Sequence, residues 1–274
     1  MILWNDALIK REDAVVDIED RGYQFGDGVY EVVRFYDRKW FEMDAHLERL
    51  EQSAQKIGID LPYSLEQLKE YINALLAESD VGTGNVYIQV TRGVAPRNHP
   101  FPDLVSPTIV AYLIPYDRPL GNMQQGVKAT LMEDVRWLRC DIKSINLLGS
   151  VLAKEEAKRK GCVEAILYRD FGVTEGSSTN IFAVKNKTLY THPANNFILN
   201  GITRLVVIDL AKKLGYDVRE RVMSNEDLLN AEEIFMTSTT AEITPIIKVD
   251  DHVVSGGKPG AVTKHLQEAF DALI

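Results

Sequence analysis

The stretch Pro115-Tyr116-Asp117-Arg118-Pro119-Leu120-Gly121 constrains the fold of this chain more than any other. Proline cannot donate to a helix or a sheet ladder, and two prolines with a glycine between apolar runs stop both kinds of element. The stretch reads as an interdomain linker with its boundary near Arg118, giving expected domains 1–117 and 118–274. At 274 residues and 45% hydrophobic composition, two modest domains can each bury a core.

Both halves mix strand and helix patterns. In the first, Val29 to Tyr36 is a β-rich run, Asp37-Arg38 a turn and Lys39 to Glu42 a returning strand, which together predict a hairpin. Asp44 is placed to cap a helix carrying Leu47, Leu50, Ala54 and Ile57 on one face, with Gly58 as its stop. Ser64 and Gln67 form a capping box for a second helix bearing Leu65, Leu68, Ile72, Leu75 and Leu76. Val86 to Thr91 and Thr108 to Ile114 read as strands separated by a loop rich in Pro, Arg and His. In the second half, strands are predicted at Val127 to Met132, Ala165 to Tyr168, Asn180 to Val184 and Ile234 to Met236. Leu147 to Arg159 is helix-like, and a further helix follows Gly201, with Leu205, Ile208, Leu210, Ala211 and Leu214 as its apolar residues and Gly215 as its stop. The expected class is α+β.

Charge narrows the function. A formal net charge of -9 disfavours nucleic acid and anionic membrane surfaces, which call for a basic face. The start, Met1-Ile2-Leu3-Trp4-Asn5-Asp6, lacks the pattern of a signal peptide, and no stretch is long and apolar enough to cross a bilayer. Two cysteines, Cys140 and Cys162, build no disulfide framework, so a reducing cytoplasm is expected. His46, His99, His192, His252 and His265 are scattered and show no metal-ligand spacing.

Two positions carry reactive chemistry. Lys143, within Arg139-Cys140-Asp141-Ile142-Lys143-Ser144-Ile145-Asn146, supplies an amine able to form a Schiff base. Glu175, opening Glu175-Gly176-Ser177-Ser178-Thr179-Asn180, supplies a carboxylate able to keep a pyridine nitrogen protonated. These are the two groups that pyridoxal phosphate chemistry asks of a protein. Gly201-Ile202-Thr203 opens a helix, where main-chain N–H groups favour an anion and glycine permits its close approach. Thr239 and Thr240 add hydroxyl donors and Arg49 a charge. Arg97 and His99 alternate along a proline-bounded loop, so both can project to one side and hold a carboxylate. Read singly, these stretches equally fit a surface lysine, an acidic helix start, an Asn200-Gly201 turn, an ST-turn at Ser238-Thr239 and a solvated basic loop.

Their order along the chain carries more. Gly26-Asp27-Gly28-Val29-Tyr30-Glu31, His46-Leu47-Glu48-Arg49-Leu50, Lys143 in its setting, Glu175 to Asn180, Asn200-Gly201-Ile202-Thr203-Arg204 and Thr237-Ser238-Thr239-Thr240-Ala241-Glu242 occur in sequence. In this order they resemble the fold-type IV pyridoxal phosphate enzymes, the class IV aminotransferases, and within them most nearly the D-amino acid aminotransferases. The resemblance runs from Trp4 to the last helix. It implies a small N-terminal α/β domain with a substrate-carboxylate loop and a larger C-terminal pseudo-barrel α/β domain that binds pyridoxal 5'-phosphate. Lys143 is then the amine that links to the cofactor and carries the substrate proton, and Glu175 pairs with the ring nitrogen. Arg49, Gly201, Ile202, Thr203, Thr239 and Thr240 are implied at the phosphate, with Ser178 and Leu199 beside the cofactor. Arg97 and His99, reaching in from a neighbouring subunit, form with Tyr30 a trap for the substrate carboxylate, so a homodimer is expected. The implied reaction is a ping-pong exchange between D-amino acids such as D-alanine and D-glutamate and 2-oxo acids such as pyruvate and 2-oxoglutarate.

Two relatives share this machinery, branched-chain L-amino acid aminotransferases and aminodeoxychorismate lyases; the Arg97 and His99 pair disfavours both. A scaffold without turnover is disfavoured by intact Lys143, Glu175 and Arg49, and a nucleotide-phosphate binder by the missing lysine after Gly201. Trp137 and Leu138 are expected to pack around the cofactor or in core, His46 to be structural, and His192 to sit in a turn.

Overall fold

The computed structural model describes residues 1–274. The chain forms two compact units, Met1–Asp117 with Ile142–Asn146, and Arg118–Asp141 with Leu147–Ile274. A single cut at residue 117 therefore misassigns the lysine segment. Residues 142–146 fold with the first unit, because the Ile142 side chain is part of that unit's apolar core.

The first unit contains β1 (Ile2–Trp4), β2 (Ala7–Ile9), α1 (Arg21–Phe25), β3 (Gly28–Tyr36), β4 (Lys39–Trp40), α2 (Met43–Lys56), α3 (Leu65–Ala77), β5 (Gly84–Thr91) and β6 (Thr108–Pro115). Its sheet is antiparallel throughout, in the order β2-β1-β6-β5-β3-β4. Alternation along β3 sends Val29, Glu31 and Val33 toward one face, where the two valines join Leu47, Leu50 and Ala54 of α2 and Leu68, Ile72 and Leu75 of α3 in the core. Tyr30 lies on the opposite face, half-buried. Asp37 and Arg38 both have positive φ, 44° and 64°, the backbone of a tight hairpin turn, and the returning strand stops at Trp40. Asp44 is not the cap of α2. Glu42, at φ 54°, precedes the helix without a side-chain cap, and Asp44 sits in its first turn. The capping box of Ser64 and Gln67 is present at α3.

The second unit contains α4 (Leu120–Gln125), β7 (Val127–Glu133), α5 (Leu148–Arg159), β8 (Glu164–Arg169), β9 (Gly172–Gly176), β10 (Asn180–Lys185), β11 (Thr188–Thr191), α6 (Ile202–Lys213), β12 (Asp217–Glu220), α7 (Asn225–Leu229), β13 (Glu233–Ser238), β14 (Glu242–Val249), β15 (His252–Val253) and α8 (Ala261–Asp271). Its mixed sheet runs β12-β11-β10-β13-β14-β7-β8-β9, with β15 on β14. The parallel pairs are β11 with β12, β14 with β7 and β7 with β8. Strands buried on both faces read as continuous apolar runs, which is why Asn180–Lys185 and Glu233–Ser238 were visible in the sequence. On α6 the apolar set differs from expectation: Val207 is buried and Leu205 is exposed.

Candidate active site

In the first unit, the lysine segment lies against the start of β3. The Tyr30 amide donates to the Lys143 carbonyl at 2.9 Å and the Ile145 amide to the Gly28 carbonyl at 3.1 Å, while Lys143's own amide donates to Ser53 Oγ of α2 at 3.3 Å. Two glycines make the approach possible. Gly26 ends α1 at φ 67°, and a Cβ there would lie 2.4 Å from Asn146 Oδ1. A Cβ on Gly28 would lie 2.5 Å from the Val90 carbonyl oxygen and 3.1 Å from Ile145 Cδ1. The glycine spacing of the first motif is thus room for the segment bearing the amine. Lys143 Nζ stands 4.3 Å from the Tyr30 ring centroid, a cation–π distance.

Directly behind, on the inward face of β3, Glu31 is fully buried and binds two groups of α2. His46 Nδ1 donates to Oε2 at 2.8 Å, and Arg49 donates through Nε to Oε1 at 2.6 Å and through Nη2 to Oε2 at 3.0 Å. Burial alone would raise the Glu31 carboxyl; the Arg49 guanidinium and the His46 ring outweigh it and hold it well below the usual carboxylate range. Burial lowers His46 from 6.5, so the ring is a neutral donor at neutral pH. Glu31 belongs to the first motif, yet nothing in the sequence marked it as the group that fixes Arg49.

The loop carrying Arg97 and His99 leaves both side chains exposed. Both rest on one ring: the Arg97 guanidinium is 4.5 Å from the Phe25 centroid and the His99 ring 5.6 Å from it.

In the second unit, Glu175 is the penultimate residue of β9, with both carboxylate oxygens engaged. Oε1 accepts from Arg136 Nη1 at 2.7 Å, and Oε2 from Asn180 Nδ2 and from the Leu199 amide, each at 3.0 Å. Leu199 therefore contributes its main chain, and its carbonyl accepts from Asn180 Nδ2 at 2.8 Å. Arg136 also grips Asp134, through Nε at 2.9 Å and Nη2 at 3.0 Å, where Arg169 joins at 3.2 Å. Burial pushes the Glu175 carboxyl up to about 7, with Arg136 pulling the other way.

Under the turn that follows lies a second buried carboxylate, Glu164 of β8. It accepts from the Ser177 hydroxyl, from the Ser177 amide at 3.2 Å, from Thr179 Oγ1 at 3.0 Å and from Ser178 Oγ at 3.5 Å. The Ser177 to Thr179 hydroxyls thus turn inward onto an acid that the sequence did not flag. Ser178 is the exposed member.

Gly201 precedes α6 with no side-chain cap and no acidic residue in the first turn, leaving the first amides of the helix open to an anion. Gly201 leaves no room for a Cβ beside Asn180 Oδ1, and Asn180 Nδ2, which donates to Glu175 Oε2 and to the Leu199 carbonyl, ties the approach to the helix to the Glu175 cluster. Ile202 and Thr203 are buried, and Thr239 and Thr240 are half-buried in the turn between β13 and β14. The neighbouring Thr237 Oγ1 is buried without a hydrogen-bond partner.

Trp137 and Leu138 are 42% and 60% exposed and do not form core. His192 is buried, its ring near Phe197 and its carbonyl accepting from Arg204. Burial raises the Cys140 thiol to about 11, far from a reactive thiolate. Arg136 and Glu164 were missed because isolated charged residues in the sequence give no sign of burial.

A family model described as amino-transferase class IV matches residues 28–249. D-alanine aminotransferase from Staphylococcus aureus (strain COL) is 49% identical over 274 residues, covering 100% of this chain and 97% of the relative. Among solved structures, the branched-chain amino acid aminotransferase of Escherichia coli aligns with a TM-score of 0.95 at 32% identity, over 99% of this chain and 93% of that one. A branched-chain amino acid aminotransferase from Thermobaculum terrenum, in its PLP-form, aligns with a TM-score of 0.90 at 28% identity, over 99% of this chain and 92% of that one. The chain belongs to the class IV aminotransferases, with their fold-type IV α+β architecture.

Proposed function

We propose that this chain transfers amino groups between D-amino acids and 2-oxo acids in a ping-pong reaction, using pyridoxal 5'-phosphate. The observation that carries the reading is the 49% identity with a D-alanine aminotransferase along the whole chain. The branched-chain alternative rests on structures at 32% and 28% identity.

The residues present fit the cofactor. Glu175 offers a buried carboxylate for a ring nitrogen, the uncapped start of α6 offers amides to a phosphate, and the orphaned Thr237 hydroxyl adds a buried polar group beside Ser238, Thr239 and Thr240. When bound, pyridoxal phosphate supplies an aldehyde that takes up an amino group and a ring that accepts the electrons left by a departing Cα proton.

Lys143 would provide the amine that holds the cofactor and, once free, would take the Cα proton of the amino acid on Nζ and deliver it to the carbon that had been the cofactor's aldehyde, the reverse transfer serving the 2-oxo acid in the second half of the exchange. Tyr30 steadies that amine with its ring. Glu175 keeps the ring nitrogen protonated, fixed for the task by Arg136, Asn180 and the Leu199 amide. Gly201, Ile202, Thr203, Thr239 and Thr240 would hold the phosphate, Arg49, oriented by Glu31, would add a charge to it, and Ser178 would serve the cofactor as a hydroxyl donor. Arg97 and His99, with Tyr30, hold the substrate carboxylate.

A homodimer is part of this reading. Leu148, Val151 and Leu152 form an exposed apolar stripe on α5, at 71%, 57% and 59% exposure, which suits a second copy. The exposed Arg97 and His99 suit a loop that serves a partner's substrate. The two free thiols suit a reducing cytoplasm.

The test is a half-reaction with cofactor-loaded protein. D-alanine should convert the visible absorption of the aldehyde form to that of the amine form, and borohydride trapping before substrate should label Lys143. A response to L-leucine with none to D-alanine would favour the branched-chain reading.

A further inference from the structure

We propose that Arg21 and Phe25 of α1 are positioning residues that hold the loop 93–101, and with it Arg97 and His99, ready for a substrate carboxylate. The inference rests on the carboxylate reading of Arg97 and His99 and adds the device that makes those two side chains rigid.

A loop outside any sheet leaves main-chain carbonyls in need of donors. Arg21 supplies them. Its Nη1 donates to the Asn98 carbonyl at 2.6 Å and its Nη2 to the His99 carbonyl at 3.2 Å, while Nη1 also lies 3.4 Å from the Pro100 carbonyl. The Arg21 amide donates to the Gly93 carbonyl at 2.9 Å, so one residue ties both the entrance and the crest of the loop. Arg21 is itself buried and fixed, with Nε donating to Asp27 Oδ2 at 2.8 Å. Asp27 is held in turn by Arg92, through Nε at 2.8 Å and Nη2 at 3.0 Å, and Arg92 donates onward to the Gly58 and Ile57 carbonyls at the end of α2.

Phe25 completes the device one helical turn later. Its ring centroid lies 4.8 Å from the Arg21 guanidinium, 4.5 Å from that of Arg97 and 5.6 Å from the His99 ring. Arg21 thus fixes the loop backbone, and Phe25 supplies the surface on which both exposed side chains lie. Side chains ordered before binding do not have to be ordered by the ligand, so the gain falls on affinity for carboxylates and not on the chemical step.

The experiment uses cofactor-loaded protein and the variants Phe25→Leu, Arg21→Met and Arg97→Ala. The half-reaction with D-alanine gives a saturation constant and a limiting rate, and calorimetry gives the affinity for propionate, a carboxylate without an amino group. Phe25→Leu and Arg21→Met should each weaken both by about tenfold, the scale for ordering a long side chain on binding, with the limiting rate within about twofold. Phe25→Leu added to Arg97→Ala should raise the saturation constant by a smaller factor than Phe25→Leu does alone, because one of the two groups that the ring positions is already gone and only His99 is left on it. If Arg97→Ala itself leaves both constants unchanged, the carboxylate reading fails and takes this proposal with it. If Arg97→Ala weakens binding while Phe25→Leu and Arg21→Met do not, the carboxylate reading stands and this proposal is overturned. Should Arg21→Met fail to fold, Phe25→Leu alone decides. A loss of limiting rate equal to the loss of affinity would mark a general structural role and also overturn it.

Discussion

The amide of Tyr30 donates to the carbonyl of Lys143 at 2.9 Å, while the Lys143 ammonium stands 4.3 Å from the centroid of the Tyr30 ring. One residue therefore fixes the backbone of the lysine and orients its side chain. Lys143→Ala should lower turnover by at least about 10³-fold, since both linkage and proton transfer need the amine. The half-buried side chain contributes little packing, so thermal unfolding should shift by only a few degrees. A visible cofactor band and turnover that survive the substitution would remove Lys143 from the mechanism.

Gly26→Ala tests the room left for the lysine segment. At φ 67°, with Asn146 Oδ1 2.4 Å from the new Cβ, the substitution combines left-handed backbone strain with a clash. Strain alone costs about 1–2 kcal/mol, and displacement of Asn146 should add to it. Gly121→Ala, in α4 with nothing within 4 Å of the new Cβ, should be neutral or stabilising. Urea midpoints of the two variants should move in opposite directions or differ clearly, and equal midpoints would contradict the close approach at Gly26.

Acid should weaken the first unit in two stages. Burial lowers His46 from 6.5, and Glu31, although burial works against it, is held below 4.5 by Arg49 and His46. Both groups bind fewer protons folded than unfolded, so their stabilisation is present at neutral pH and is lost as pH falls, first below 6.5 for His46 and then below 4.5 for Glu31. Glu31→Gln should flatten the lower stage while costing about 3 kcal/mol at neutral pH, because it strands the Arg49 charge. Stability curves at several pH values would refute this if the variant kept the wild-type slope below 4.5.

Glu175 behaves in the opposite sense. Burial raises its carboxyl to about 7, so between 4.5 and 7 the folded state binds more protons than the unfolded one. Its contribution to stability therefore declines as pH rises through that window, and Glu175→Gln should abolish the decline. With cofactor present, the same variant should retain binding and lose turnover on the order of 10²-fold, the usual effect of removing one aimed electrostatic partner. Retained turnover would mean that the ring nitrogen is not served by Glu175.

The candidate site could be proposed from the sequence because each of its motifs is a short stretch of neighbouring residues. Lys143, Glu175 and the Gly201-Ile202-Thr203 helix start are each ambiguous read singly and become candidates through the order in which the short motifs follow one another. Capping at Ser64 and the strand around Val29 were legible for the same reason: capping boxes and alternation are short-range patterns. The start of α2 was misread because Glu42 enters the helix from a left-handed backbone, with no side chain to announce the cap.

By itself, then, the sequence determined which groups could do the chemistry and the alternation of strands and helices that carries them. Only the tertiary structure decided how those groups are held. It drew Ile142–Asn146 onto β3 of the first unit, set Glu31 behind Arg49, placed Arg136 on Glu175 and Glu164 beneath the serine turn, and laid Arg97 and His99 on Phe25. The physical reason is that burial and partner choice join residues tens of positions apart, and a charged residue looks the same in a sequence whether it faces water or a buried counter-charge.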